Sequence, residues 1–152
     1  MASAESVYVD PSALLKLYLK EPESRAMAAW RGKIGDPLLV TRHGRLELTN
    51  GIGLALYRGL ITKGIHQAAL AAVDDDFACG RYRQTDVLWR ATLDRACELS
   101  RGHTASLGCR SLDILHVASA IELELEHFAT FDARQQHLAR AAGLKLIKPA
   151  AT

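Results

Sequence analysis

Four acidic side chains stand where their types and spacing could do chemistry. Asp10 directly follows the β-rich run Val7-Tyr8-Val9, and Asp132 directly follows the run from His127 to Phe131. If both runs are parallel strands, both carboxylates emerge at the carboxyl edge of one sheet, where open α/β sheets build their sites. Two acids at one edge repel each other and call for a counter-charge. A hard divalent cation, Mg²⁺ or Mn²⁺, supplies it, because such ions prefer carboxylate and water oxygens. Asp113 and Glu47 are the further candidates. Each acid also has a plainer reading. Asp10 before Pro11 is a good helix N-cap, as is Asp132. Asp113, two residues after Ser111, falls in a first helical turn, where a negative charge complements the dipole. Glu47, between Leu46 and Leu48, reads equally as an exposed helix residue. The residues alone lead to a candidate metal site and no further.

The elements that must position these acids alternate along the chain. Strands are expected at Val7–Val9, Pro37–Thr41, His127–Phe131 and Leu144–Ile147. Helices are expected after Pro11, from Pro22 to about Gly32, through Leu46 to Leu60, from Thr62 to Phe77, from Asp86 to Ser100, from Ser111 to Leu125 and from Asp132 through Leu138. Gly51 and Gly53 lie inside one of them, where glycine costs about 1 kcal/mol each against alanine, so close packing is expected there. Strands separated by helices imply parallel pairing with helices on both faces, a three-layer α/β/α sandwich around a central parallel sheet of four to five strands. The 152 residues fit one domain, 1–152, with no repeat or linker dividing it.

Composition narrows the classes. Hydrophobic residues make up 49% of the chain, a globular value that excludes a disordered one. The three cysteines, Cys79, Cys97 and Cys109, show no CxxC spacing and read as buried or half-buried free thiols in a reducing compartment. No leader-like segment opens the sequence and no apolar run approaches the roughly 20 residues of a membrane span, so a soluble cytoplasmic protein is expected. The net charge of +2 is too mild to demand a nucleic-acid partner, although Arg42, His43 and Arg45, and again Arg81 and Arg83, form local basic clusters.

The text around the four acids resembles a known family. Val7-Tyr8-Val9-Asp10-Pro11-Ser12 resembles the first motif of PIN domains, a strand ending in Asp with a hydroxyl residue two positions on. Arg45-Leu46-Glu47-Leu48 resembles the second acid of the family. Arg110-Ser111-Leu112-Asp113-Ile114-Leu115-His116 resembles the third, and Phe128-Ala129-Thr130-Phe131-Asp132-Ala133-Arg134 the fourth. The order and spacing match from Val7 to Ile147, and the small format looks like the VapC toxins of toxin–antitoxin pairs.

That resemblance implies an endoribonuclease dependent on one or two Mg²⁺ or Mn²⁺ ions held by Asp10, Glu47, Asp113 and Asp132. A bound cation acidifies water and neutralises charge on phosphoryl oxygens. Asp10 and Asp113 are both open as acceptor of the water's proton. Ser12 and Thr130, each two residues from an acid, are candidates to orient a carboxylate by hydrogen bonding, with helix capping an alternative for Ser12. Arg134 could meet phosphate or pair with a carboxylate. His116, one turn from Asp113, is read as a packed histidine bonded to backbone or carboxylate ahead of a ligand. Trp30 and Trp89 are read as core or interface residues. The resemblance further implies an RNA substrate, a cognate small antitoxin and a homodimer. A non-catalytic PIN-fold module binding RNA or protein, and another metal phosphoesterase such as a DNA nuclease, are the alternatives.

Overall fold

The computed structural model describes residues 3–35 and 37–150. After a 3-10 turn at Ala4–Ser6, the described residues form β1 (Val7–Val9), α1 (Pro11–Leu15), α2 (Ser24–Lys33), β2 (Leu38–Thr41), α3 (Arg42–Tyr57), α4 (Lys63–Ala78), β3 (Tyr82–Thr85), α5 (Trp89–Leu107), α6 (Ser111–Glu122), β4 (His127–Ala129), α7 (Ala133–Ala141) and β5 (Lys145–Ile147). Every strand pair is parallel, as alternating strands and helices require. The hydrogen-bonded ladders divide into β1-β4-β5 and β2-β3. β1 and β2 lie side by side between them, so the expected single sheet of four to five strands exists as two laddered pieces. With strands of only three or four residues, each ladder has few bonds to make, and side chains carry the β1–β2 junction.

Alternation along the strands sends residues to two cores. Val7 and Val9 pack with Leu14, Met27, Leu38, Val40, Leu48, Ile52 and Val73, beneath α1 to α4. Tyr8 and Phe128 face the other way, against Leu99, Ile114, Val117 and Leu138 of α5 to α7. Two cores on opposite faces make the expected three-layer sandwich. The register places Tyr8 opposite Phe128, and their rings stack at 5.4 Å with 3° between planes.

Side chains fix where several helices begin. Thr41 Oγ1 accepts from Gly44 N at 2.9 Å, Thr62 Oγ1 from Ile65 N at 3.2 Å, and Asp132 Oδ1 from Gln135 N at 2.9 Å. The β3 strand was not expected from sequence. Its text, Tyr-Arg-Gln-Thr, is mostly polar, and only Tyr82 is buried, its hydroxyl 2.7 Å from that of Tyr18. Pairing to β2, not apolar alternation, makes it a strand. The helix after Pro11 is also shorter than its apolar spacing suggested, breaking into turns after Leu15. Cys79 and Cys97 are exposed, against expectation, and Cys109 is buried.

Candidate active site

The carboxyl ends of β1, β2 and β4 gather the site. Register places Val9 beside Ala129, and Asp10 N extends the ladder to Ala129 O at 3.0 Å. The next residues on the two strands are therefore neighbours, and Thr130 Oγ1 lies 3.3 Å from Asp10 Oδ2. Ser12 Oγ donates to the same oxygen. Asp10 is 3% exposed and occupies the N-cap position of α1, yet its side chain makes no cap hydrogen bond. It is turned inward, where Ser12 donates to it and Thr130 stands beside it with one proton to divide between Asp10 and Gln135 Oε1. Burial lifts its pKa above the usual carboxylate range; the His116 ring and the Ser12 hydrogen bond oppose that, and the nearby Glu47 charge adds to it. Ser12 and Thr130 thus both stand beside the Asp10 carboxylate.

Glu47 comes from the second turn of α3. Its Oε2 accepts from His116 Nε2 on α6. Burial pushes its pKa up, but the His116 hydrogen bond and the positive surroundings, Arg110 included, bring the net shift below the usual value. Asp113, in the first turn of α6, faces Arg110 Nε at 3.4 Å. Glu47 and Asp113 line one cavity of about 310 Å³ together with Arg110. A second cavity, of about 360 Å³, joins Ser12, Glu47 and Arg110 to Asn50 and Arg58.

Asp132 plays the plainer role foreseen for it, capping α7 through Oδ1. Its backbone N–H donates to Thr130 Oγ1 at 3.1 Å, and Thr130 in turn lies against Asp10. Arg134 is exposed, with Nη1 3.3 Å from Gly108 O at the end of α5. Among the described residues, no three His, Cys, Asp or Glu side chains stand close enough to share a metal ion. The donor chemistry nonetheless fits a hard cation. Asp10 and Glu47 are carboxylates in mutual conflict, and Glu47 and Asp113 share a cavity while turned to internal partners.

Three residues of the site went unread in the sequence. Gln135 is fully buried, its Oε1 3.0 Å from Thr130 Oγ1, and its Nε2 has no hydrogen-bond partner in the structure. Its signal was the capping-box spacing Asp-x-x-Gln. Arg110 had no signal beyond lying next to Ser111. Tyr8 read only as a strand residue; its hydroxyl is 2.6 Å from His116 Nδ1. His116 bonds a carboxylate, as the packed reading had it. The basic cluster at Arg42, His43 and Arg45 dissolves on folding. Arg42 pairs with Asp86 at 2.6 Å, Arg45 with Asp74 at 3.2 Å, and His43 is half-buried with a pKa pushed down to about 4 by burial and by the neighbouring His116 ring. Trp89 packs edgewise on His43 at 5.0 Å and is 46% exposed.

Known proteins share this fold. The family model described as PIN domain matches residues 7–141. A curated relative, Ribonuclease VapC46 of Mycobacterium tuberculosis (strain ATCC 25618 / H37Rv), is 29% identical over 147 residues, covering 95% of this chain and 98% of the relative. Among solved structures, that of FitAcB from Neisseria gonorrhoeae superposes with a TM-score of 0.67 at 16% identity, covering 94% of this chain and 97% of the other.

Proposed function

Because the chain belongs to the PIN-domain family, we propose that it is a Mg²⁺- or Mn²⁺-dependent endoribonuclease acting as the toxin of a toxin–antitoxin pair. The observation that carries this reading is the state of Asp10. A carboxylate used only as a helix cap would bond the helix; this one is buried, flanked by two hydroxyls and set against a second acid. The similarity to Ribonuclease VapC46 supports RNA as the substrate.

Asp10, Glu47 and Asp113 would hold one or two cations, with Asp132 at the margin. When bound, the cation acidifies water and neutralises charge on the phosphoryl oxygens. Ser12 and Thr130 orient Asp10 so that no rotamer search is needed when substrate arrives. Asp10 and Asp113 are the candidate acceptors of the attacking water's proton. Arg110 lines both acidic cavities and can meet an RNA phosphate by its guanidinium fork, and Arg134 stands exposed near Asp132 for the same task.

The partners follow from the same reading. Leu46, Leu88, Trp89, Leu93 and Leu112 are exposed, and Leu112 lines both cavities that hold Glu47; apolar surface of this kind is suited to a homodimer. A cognate small antitoxin would silence the enzyme by placing an arginine among the acids. A short reading frame for a small DNA-binding protein beside this gene is the cheap check. No helix among the described residues is long and apolar enough to cross a membrane, which agrees with work in the cytoplasm.

The test is cleavage of RNA by antitoxin-free protein with Mg²⁺ or Mn²⁺. We expect activity that EDTA, Asp10→Asn or Asp113→Asn abolishes. Wild-type protein that cuts no RNA class with either metal would refute the reading. Cleavage of DNA alone would point to a DNA nuclease, and absence of Mn²⁺ binding to a non-catalytic module.

A further inference from the structure

We infer that Tyr8 and His116 are positioning residues of this site: a buried relay from Thr41 through Tyr8 sets the tautomer of His116, which delivers one N–H to Glu47 and holds that carboxylate at the cavity. The inference rests on Glu47 belonging to the acidic site proposed above.

The relay crosses three elements. Thr41 ends β2, Tyr8 is central in β1, and His116 lies on α6. Tyr8 is 2% exposed and His116 0%. The Tyr8 hydroxyl lies 3.2 Å from Thr41 Oγ1 and 2.6 Å from His116 Nδ1. The other ring nitrogen, Nε2, meets Glu47 Oε2.

Proton accounting gives the relay a direction. Thr41 Oγ1 already accepts from Gly44 N at 2.9 Å, so its own hydrogen is available to the Tyr8 oxygen. Tyr8 then passes its hydrogen to Nδ1. A neutral ring accepting at Nδ1 carries its proton on Nε2, against the carboxylate. Every hydrogen has an acceptor in this arrangement. Reversing it makes Nδ1–H donate to Tyr8. Nε2 then either sets a lone pair against a carboxylate or leaves the ring doubly protonated and paired with Glu47. The Thr41 hydroxyl also loses its acceptor.

A second imidazole is ordered beside the relay. His43 stacks on His116 at 5.3 Å with 19° between planes. The Ser119 hydroxyl donates to Leu115 O at 2.7 Å, so it accepts from His43 Nε2 at 3.0 Å. His43 therefore carries its proton on Nε2 as well, and its Nδ1 is the atom left without a partner.

The consequence falls on Glu47. Its side chain is 32% exposed at the cavity, and a glutamate there would otherwise sample several rotamers. His116 engages Oε2 and selects one. Groups that orient a ligand in this way typically contribute 10–100-fold to metal affinity.

The experiment uses metal-free, antitoxin-free protein labelled with ¹⁵N-histidine, followed by Mn²⁺ titration calorimetry. Long-range ¹H–¹⁵N spectra should show His116 carrying its proton on Nε2 and accepting at Nδ1. Tyr8→Phe, which removes one hydroxyl, should mix the tautomers and weaken Mn²⁺ about tenfold. His116→Leu should weaken Mn²⁺ by up to about 100-fold, and His116→Gln, which keeps an N–H donor, should recover part of the loss. Should His116→Leu fail to fold, Tyr8→Phe decides alone. An Nδ1–H or doubly protonated His116 in the wild type overturns the inference. So does a Tyr8→Phe protein with an unchanged His116 spectrum and Mn²⁺ isotherm. Wild-type protein that binds no Mn²⁺ refutes the proposed function instead, and the His116 tautomer still decides the relay.

Discussion

Replacing Asp10 by Asn should make the metal-free protein more stable and the metal-loaded protein less so. Asp10 is 3% exposed, and burial beside Glu47 disfavours its charge. Asn keeps the shape, and its carbonyl oxygen still accepts from Ser12 and Thr130 in place of Oδ2. The variant loses charge assistance on those two hydrogen bonds, and it is relieved of a buried charge opposite a second acid. Relief from burying that charge is the larger effect, leaving a net gain of about 1 kcal/mol. For a chain of this size that raises Tm by about 2–4 °C in EDTA. Saturating Mn²⁺ inverts the order. At a hundred times its dissociation constant the ion adds about 2.7 kcal/mol to the wild type and little to the variant. Differential scanning fluorimetry with and without Mn²⁺ reads both limbs. A variant destabilised by more than about 1 kcal/mol in EDTA, or raised by Mn²⁺ as much as the wild type, would refute the reasoning. The first outcome would make Asp10 structural, and the second would remove it from the metal site.

Gly44→Ala should cost about 1–2 kcal/mol in urea unfolding, because the new Cβ would lie 2.9 Å from Thr41 Oγ1 and displace the cap of α3. Gly53→Ala on the same helix meets nothing within 4 Å and should stabilise by up to about 1 kcal/mol. His43 has a folded-state pKa pushed from 6.5 to about 4, so protonation favours the unfolded chain. Stability should be full above pH 6.5 and fall between pH 6.5 and 4, by on the order of 1–2 kcal/mol after allowance for partial exposure; urea midpoints across that window should flatten in His43→Gln. Arg134→Ala should raise KM for RNA severalfold with kcat unchanged, read by steady-state cleavage of a short RNA, because an exposed guanidinium near Asp132 contributes binding alone.

The sequence by itself determined the order of elements other than β3, and the sheet edge that Asp10 occupies; the strand expected to run on to Phe131 stops at Ala129, so Thr130 and not Asp132 stands beside Asp10. Val7-Tyr8-Val9 before Asp10, and Phe128-Ala129 before Thr130, are local facts, and parallel pairing turns them into neighbours at one sheet edge. The helix caps at Thr62 and Asp132 are equally local, because a cap needs only residues within one turn. What the tertiary structure decided depends on distance along the chain. Nothing near Asp10 in sequence says that it abandons its cap for Thr130, which is 120 residues away. Nothing near Tyr8 says that its hydroxyl meets His116, 108 residues away, or near Glu47 that it meets the same ring, 69 residues away. β3 needed β2 to become a strand, since its own polar text has no period to read. The basic cluster at Arg42, His43 and Arg45 was a sequence neighbourhood only. Folding gave each arginine a distant carboxylate and put the histidine against a second imidazole. Local propensity and periodicity are written in neighbouring residues, whereas the partner of a buried polar group is set by which elements pack together.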